Sequence, residues 1–230
     1  QHFGAASVYV LMAANAGMIG YCTTSTGWAT VAAYGSRVPA TANPAIAWGA
    51  PVKNGPHFVL DMACAVSSWG KVHSQLLYGR DIPAGWALDA AGEPTTDPAA
   101  AKTLLPAAGA RGYGLAFMSG VLTGVLSGNK SPLHKTGGVE AEGSEHFFYC
   151  IDIAQFTDLD TFTRELEQTM SDIRELPPAT GFDKVRLPGE LEAERSAEWT
   201  RNGLPLHRSH LRDLAEVADR MSIAVPWSKE

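Results

Sequence analysis

Residues 104–128 constrain the fold more than any other stretch, because a glycine-rich segment there joins a long apolar run. Three glycines surround a single cation, Arg111, in the first half: Gly109, Gly112 and Gly114. The second half repeats large apolar residues near the 3.6-residue period of a buried helix face, at Leu115, Met118, Leu122, Val125 and Leu126. The pattern predicts a glycine-rich turn that leads into a buried helix.

The glycine-rich turn has two interpretations. Free N–H groups and the helix dipole make such a turn a natural seat for a phosphate, and the Arg111 guanidinium would bind the same anion. Alternatively, the turn is only tight and the helix only closely packed. The spacing is not G-x-G-x-x-G, so the usual dinucleotide-binding fingerprint is absent.

Three more glycines, Gly120, Gly124 and Gly128, recur every four residues along the same predicted helix. One edge of that helix therefore presents bare backbone, and another element can approach it closely. The partner can be a second copy of the chain or another part of the same subunit, and the spacing does not decide between them.

Composition limits the class of protein. The chain has 230 residues, of which 45% are hydrophobic and 18% charged, as in a globular protein with a full core. A net charge of −6, without a basic stripe, argues against nucleic-acid binding. No apolar run is long enough to span a bilayer, so we expect no membrane association.

The three cysteines, Cys22, Cys64 and Cys150, each lie in an apolar or strand-like run. Their odd number and positions predict reduced core thiols in a cytoplasmic protein. No CxxC or HExxH spacing indicates a metal site, and we expect none.

Strands and helices alternate irregularly along the chain. Strands are predicted at 18–22, 45–48, 58–63 and 146–152, and helices at 5–16, 67–78, 115–128, 161–176, 191–201 and 211–221. Residues 81–98 are rich in turn-forming residues and are predicted to be loops. This order favours an α/β or α+β fold over a regular doubly wound sheet.

Several short motifs occur together in a specific order. They are His2-Phe3-Gly4, Asn43-Pro44, Asp61-Met62-Ala63, Trp69-Gly70-Lys71, Gly85-Trp86-Ala87-Leu88-Asp89, Pro94-Thr95-Thr96-Asp97-Pro98, Gly112-Tyr113-Gly114-Leu115 and Leu187-Pro188-Gly189-Glu190. Together they resemble the type-2 malate/L-lactate dehydrogenase family, whose relatives include ureidoglycolate, sulfolactate and 2,3-diketogulonate dehydrogenases. The resemblance extends over essentially the whole chain.

The resemblance implies an oxidoreductase that uses NAD or NADP to interconvert a small 2-hydroxy acid and a 2-oxo acid by hydride transfer. It implies a mixed sheet with flanking helices, a non-Rossmann cofactor fold and a homodimer. Residues 1–190 would form the cofactor- and substrate-binding α/β domain. Residues 191–230 would form a C-terminal helical segment that packs with the family's N-terminal helices.

The chain departs from the family pattern in three places. The family's N-terminal segment, with its Ser-His-Gly, would precede Gln1, and Arg111 stands where the family usually has lysine. The family's Thr-Asn turn is here Thr24-Ser25-Thr26. A second hypothesis is therefore a truncated, catalytically silent, dimer-forming core.

His2 is the predicted catalytic residue, because its imidazole can transfer the proton at oxygen while hydride moves at carbon. A histidine in the family's N-terminal segment is a rival for that role, and a histidine near a chain end can also be inert.

The resemblance assigns cofactor binding to Asn43, Asp61, Ala63, Arg111 and Gly112, and substrate binding to Thr26. Three of these residues also have a structural alternative. Asp61 can instead cap a helix, Asn43 can stabilise a turn, and Arg111 can pair with a surface carboxylate.

Overall fold

The computed structural model describes residues 3–135 and 143–227. Contacts within the chain divide it into two units, Gln1–Gly189 and Glu190–Glu230. The first unit contains both sheets, and the second contains the last two helices. The functional roles assigned to residues 1–190 and 191–230 remain predictions.

The helices and strands lie close to most of the positions that the sequence predicts. The helices are α1 (Ala6–Asn15), α2 (Trp69–Leu77), α3 (Ala110–Thr123), α4 (Leu159–Arg174), α5 (Glu190–Asn202) and α6 (Arg208–Arg220). The strands are β1 (Met18–Thr24), β2 (Val31–Ala32), β3 (Pro39–Thr41), β4 (Ala45–Ala50), β5 (Phe58–Ala63), β6 (Ala87–Leu88), β7 (Pro94–Thr95), β8 (Thr103–Leu104) and β9 (His146–Asp152). Short 3-10 helices lie at Val125–Ser127, Pro132–His134 and Ile153–Gln155.

The first sheet has four antiparallel strands in the order β5-β4-β1-β9. Helix α1 packs on one face, because glycines in the sheet leave room for it. A Cβ atom at Gly20 would lie 2.7 Å from the Ala13 Cβ, and one at Gly49 would lie 2.8 Å from the Val10 carbonyl oxygen. The close approach buries Val10, Cys22 and other small apolar side chains.

The opposite face of this sheet packs against α3, with Tyr21, Ile46, Cys64 and Ala116 in the shared core. Helix α3 begins earlier than predicted, at Ala110, so the last part of the segment predicted as a glycine-rich turn, residues 110–114, is helical. A helix normally disfavours glycine. Close packing requires it at Gly112, whereas Gly109, just before the helix, has the positive φ of 62° that favours glycine in a turn.

The prediction of which side of α3 is buried was mostly wrong. Its buried residues are small: Gly112, Ala116, Ser119, Gly120 and Thr123. Of the five predicted residues, Leu115 and Met118 are 46% and 50% exposed, and Val125 and Leu126, in the 3-10 turn after α3, are 54% and 65% exposed. Leu122 alone packs, partly buried, against the core shared with the first sheet. The helix approaches the sheet mainly through its small residues.

Residues of the same chain that follow α3 pack against part of its glycine edge. A Cβ atom at Gly120 would lie 3.4 Å from a Pro132 side-chain carbon, and one at Gly124 would lie 2.7 Å from the Lys130 carbonyl oxygen. Gly128 instead ends the 3-10 turn with a positive φ of 82°. Gly120 and Gly124 are therefore used for packing inside the subunit.

A second sheet, in the order β3-β2-β8-β6-β7, takes two short strands, β6 and β7, from residues 81–98, which are otherwise loops as predicted. Its strands have two or three residues each, too few to show a period. Val31 and Leu104, from its strands, share a buried core with Ile82, and Trp69 and Trp86 pack against that core.

The prediction of a core thiol was wrong for Cys150, which is exposed on β9, the outer strand of the first sheet. Cys22 and Cys64 are buried. Burial raises the pKa of the Cys22 thiol to about 11, with a smaller contribution from the Asp61 charge, and that of Cys64 to about 12. In the described part of the chain, no helix has the length and apolar character needed to cross a bilayer.

Candidate active site

One end of the first sheet gathers several of the predicted site residues. Thr26 follows β1, Asn43 precedes β4, and Ala63 is the last residue of β5. The register places Ala45 opposite Ala63 and Thr24 opposite His146, the first residue of β9. In an antiparallel sheet the end of one strand lies beside the start of the next, so residues far apart in sequence meet at this end.

The N-terminus of α3 is joined to the same end of the sheet. The Ala107 N–H donates to the Cys64 carbonyl oxygen at 2.9 Å, directly after β5. At Gly112 a Cβ atom would lie 2.2 Å from the Ala107 carbonyl oxygen and 2.6 Å from that of Cys64. Only glycine fits there, and it brings Arg111 beside the end of β5.

Asn43 organises the loop that follows β5. Its Nδ2 donates to the Ser67 carbonyl oxygen at 3.0 Å, and its Oδ1 accepts from the Ala65 N–H at 2.8 Å. Both ends of the amide are thus engaged by the protein backbone. Asn43 shapes residues 65–67, and its contact to a nicotinamide stays a prediction.

Three buried hydroxyl groups have no hydrogen-bond partner among the described residues: those of Ser25, Thr41 and Ser67. Thr41 lies two residues before Asn43, and Ser67 is bonded to it through its carbonyl group. Ser25 directly follows β1. Buried hydroxyls are normally satisfied, so these groups suit a site for a polar ligand.

Arg111 lies in the first turn of α3, is exposed, and forms no ion pair within the described residues. The adjacent Ala110 N–H also has no backbone acceptor in that part of the chain. The Gly112 N–H, however, donates to the Ala107 carbonyl oxygen at 2.9 Å. An anion here would meet the guanidinium and the helix terminus, while Gly112 contributes close packing.

Asp61 caps helix α1, which precedes it in the chain, and not the turn that follows β5. Its Oδ2 accepts from the Ser7 N–H at 2.8 Å, in the first turn of α1. The residue before that helix, Ala5, provides no side-chain cap. A carboxylate at this helix terminus is favourable because of both the free N–H groups and the dipole.

Thr26 forms a local turn, in which its Oγ1 donates to the Trp28 carbonyl oxygen at 2.7 Å. It is half-buried, and its role toward substrate stays a prediction. His2 lies outside the described residues. The next residue, Phe3, stacks on the His146 ring at the start of β9.

Sequence reasoning missed a buried ion pair beside this site. The Lys135 side chain is fully buried, and its Nζ contacts Glu145 Oε1 at 2.6 Å and the Gly143 carbonyl oxygen at 3.0 Å. The Glu145 carbonyl oxygen in turn accepts from the Ser25 N–H at 2.9 Å. The sequence offers no signal for this pair, because both charges occur in a polar segment typical of solvent-exposed loops.

Among residues 3–135 and 143–227, no group of three or more His, Cys, Asp or Glu side chains is arranged to hold a metal ion. The chemistry that the described part of the site offers comes from hydroxyl and amide groups, one exposed guanidinium and a helix terminus.

Known proteins resemble this chain in both sequence and structure. It is 34% identical to a malate dehydrogenase of Pyrococcus horikoshii over 97% of its length and 64% of the relative's. It is 37% identical to an Escherichia coli ureidoglycolate dehydrogenase (NAD(+)) over 82% of its length and 55% of the relative's. The solved P. horikoshii malate dehydrogenase superposes with a TM-score of 0.84 and 31% identity, covering 97% of this chain and 64% of that one.

The chain thus spans between about half and two thirds of these curated relatives' lengths. The shared fold is a mixed α/β arrangement of sheets with flanking helices, of the malate/lactate dehydrogenase type. The sequence profile described as malate/L-lactate dehydrogenase matches residues 1–215. The chain belongs to the malate/L-lactate dehydrogenase family.

Proposed function

We propose that this protein is an NAD(P)-dependent oxidoreductase that interconverts a small 2-hydroxy acid and the corresponding 2-oxo acid. The observation that carries the proposal is the convergence of Thr26, Asn43, Ala63 and Arg111 at one end of the first sheet, in a chain of this family. Relatives named malate, L-lactate, sulfolactate and ureidoglycolate dehydrogenases support the class of substrate.

The cofactor in this proposal is NAD or NADP, and it supplies the hydride chemistry when bound. Arg111 would bind a phosphate of the dinucleotide, together with the Ala110 N–H at the start of α3. The loop shaped by Asn43 and the buried Ser67 hydroxyl would contact the rest of the cofactor, with Asp61 and Ala63 on the neighbouring strand. The E. coli relative named with NAD(+) supports the nicotinamide assignment.

In this proposal, His2 exchanges the proton with the substrate oxygen. Hydride transfer to or from carbon leaves a proton to be exchanged at the substrate oxygen, and an imidazole is suited to that exchange near neutral pH. Thr26 would orient the substrate through its backbone or hydroxyl.

The proposed ligands are small 2-hydroxy and 2-oxo carboxylates. We further propose a cytoplasmic homodimer with residues 1–190 as its cofactor- and substrate-binding domain.

Binding of NADH and NADPH, followed by reduced-nicotinamide fluorescence, tests the proposal in the protein expressed from its full reading frame. We expect saturable binding of at least one cofactor, and its oxidation with one of the 2-oxo acids that correspond to malate, lactate, sulfolactate and ureidoglycolate. His2→Asn should keep cofactor binding and lose turnover. Failure of both cofactors to bind would refute the proposal, and binding without any turnover would instead support a catalytically silent core.

A further inference from the structure

A buried ion pair lies beside the candidate site, and the proposed chemistry does not use it. The Lys135 side chain is fully buried, and that of its partner Glu145 is 15% exposed. We propose that Lys135 and Glu145 are positioning residues that fix the turn at residues 24–26 against the start of β9. This inference rests on the proposed contact of Thr26 with the substrate.

The Glu145 carboxylate is held from two directions. Lys135 Nζ donates to both carboxylate oxygens, and it donates to the Gly143 carbonyl oxygen at 3.0 Å. The Asn129 side chain donates from Nδ2 to Oε1 of the same carboxylate. The Asn129 N–H in turn donates to the Gly124 carbonyl oxygen at 2.9 Å, directly after α3. Glu145 is therefore bonded both to Lys135 and to the segment that follows α3.

The backbone of Glu145 holds the turn. Its carbonyl oxygen accepts from the Ser25 N–H at 2.9 Å and lies 3.4 Å from the Thr24 hydroxyl oxygen. That hydroxyl also shares a 2.7 Å hydrogen bond with His146 Nδ1. Ser25 directly precedes Thr26, so these bonds fix the backbone that leads into the proposed substrate residue. Glu145 thus bonds to Lys135 through its side chain and to the turn through its carbonyl group.

The Ser25 side chain favours a ligand at this turn. Ser25 is 1% exposed, and its hydroxyl has no hydrogen-bond partner in the part of the chain that the structure describes. A buried hydroxyl without a partner costs free energy, which a polar ligand can recover. The turn therefore combines a backbone that is held in place with an unsatisfied polar group, which suits a small carboxylate.

The burial of this ion pair distinguishes a positioning role from a stabilising one. Removing one partner of a buried pair is strongly destabilising, because the other charge is left unpaired. Replacing both partners by neutral side chains is often neutral or stabilising. A pair that serves stability alone can therefore be replaced as a whole without harm to substrate binding. A pair that positions the turn cannot.

The double variant Lys135→Met/Glu145→Gln separates these roles, because it removes both charges together and keeps the Glu145 backbone carbonyl group. In the full-length enzyme we expect KM for the 2-oxo acid to rise about tenfold as the turn shifts, with cofactor Kd within about twofold of wild type. Each single variant should also raise KM and should lower the thermal midpoint further than the double variant does. Lys53→Met is the matched control, because it breaks an exposed ion pair, with Asp160.

Hydrogen exchange at the Ser25 N–H gives a readout that does not depend on turnover, because this group donates to the Glu145 carbonyl oxygen. Exchange in peptides that contain Ser25 should be faster in the double variant and unchanged in Lys53→Met. Unchanged exchange or an unchanged KM in the folded double variant would overturn the positioning role. Absence of wild-type turnover would instead overturn the proposed function, and the exchange rates would then decide whether the ion pair fixes the turn.

Discussion

Gly112 determines how closely α3 can approach β5. The space that a Cβ atom would need is already taken by the backbone carbonyl oxygens of Ala107 and Cys64. These are backbone atoms that cannot rotate away, so any side chain at this position must displace the turn before α3 or the end of β5. Gly114, two residues along the same helix, has nothing within 4 Å of its own Cβ position.

These two glycines give a matched pair of variants. Gly112→Ala should destabilise the protein by about 1–3 kcal/mol or more, because overpacking forces the backbone to shift. Gly114→Ala should be neutral or stabilise by about 0.5–1 kcal/mol, because it only replaces glycine in an open helix position. Urea unfolding measures both, and equal effects of the two variants would contradict the packing argument.

Arg111→Ala should weaken cofactor binding by about ten- to a hundredfold. A hydrogen bond to a charged group contributes about 1.5–3 kcal/mol, which corresponds to that range of affinity. Arg111→Lys should recover much of the loss, because it restores the positive charge. Titration with NADH and NADPH measures the effect.

The control for Arg111 is Arg80→Ala, which removes another exposed arginine, one that lies over the Tyr78 ring. It should leave cofactor affinity unchanged. Unchanged affinity in Arg111→Ala as well would show that Arg111 does not bind the phosphate. Its effect would then be limited to the small stability change expected of a surface charge.

The three cysteines should differ in reactivity toward a thiol reagent such as Ellman's reagent at pH 8. Cys150 is exposed, whereas Cys22 and Cys64 are buried and have pKa values raised to about 11 and 12, so neither presents an accessible thiolate. The reagent should therefore titrate one thiol per chain in the native protein and three in the denatured protein. Cys150→Ser should abolish the native reaction, and rapid labelling of more than one thiol would contradict the burial.

At the scale of helices and strands, long elements were predictable and short or closely packed ones were not. Strand β5 and helix α1 lie within one residue of their predicted bounds, because an apolar run defines β5 and Gly17, with a positive φ, follows α1. The face of α3 was misassigned, because period alone does not distinguish a helix that packs through Gly112 and Ala116 from one that packs through leucines. Small-residue packing is a property of the contact, and the contact partner is remote in sequence.

The site was predictable as a set of motifs but not as a set of contacts. The motifs place Asn43, Asp61 and Arg111 in the family pattern, and the sheet register pairs β4, which follows Asn43, with β5, which carries Asp61. No local pattern shows that Asp61 caps α1 or that Lys135 pairs with Glu145, since each pair joins separate elements. Such cross-element bonds depend on the tertiary fold.

Glu167 connects the β4–β5 hairpin to α4 and should make stability depend on pH. Its Oε1 accepts the N–H groups of Lys53 and Asn54, the latter at 2.9 Å, and Oε2 accepts from the Asn54 side chain at 3.2 Å. The backbone hydrogen bond from Asn54 is the main cause that lowers the pKa of this carboxyl. Only the carboxylate form accepts all of these bonds.

Because the folded pKa is lowered, this contribution to stability is complete above the unfolded pKa, about 4.3, and is lost as the pH falls through the folded value. Glu167→Gln should therefore lower the thermal midpoint at pH 7, and the difference from wild type should shrink below about pH 4. Glu165→Gln, on the same helix, removes only an exposed ion pair with Arg164 and is the control. A difference that stays constant from pH 7 to pH 3 would exclude the linkage.

At the scale of the whole molecule, apolar surface remains on the side of α3 that turns away from the first sheet. Leu115, Phe117 and Met118 are 46%, 54% and 50% exposed, although they lie in the helix that begins beside the candidate site. Exposed large apolar residues grouped on one element mark interaction surfaces more often than residues scattered singly. The proposed homodimer provides a second copy to cover them.

Phe117→Glu should therefore shift the full-length protein from dimer to monomer in gel filtration coupled to light scattering, because burying an unpaired carboxylate at an interface is strongly unfavourable. Turnover per chain should fall with the dimer fraction if the sites depend on the interface, and recover as protein concentration restores dimers. Phe156→Glu is the control, because Phe156 is 81% exposed and lies outside α3. A wild-type protein that is strictly monomeric and still turns over substrate would refute the dimer-dependent site. A dimer unaffected by Phe117→Glu would place the interface on another surface.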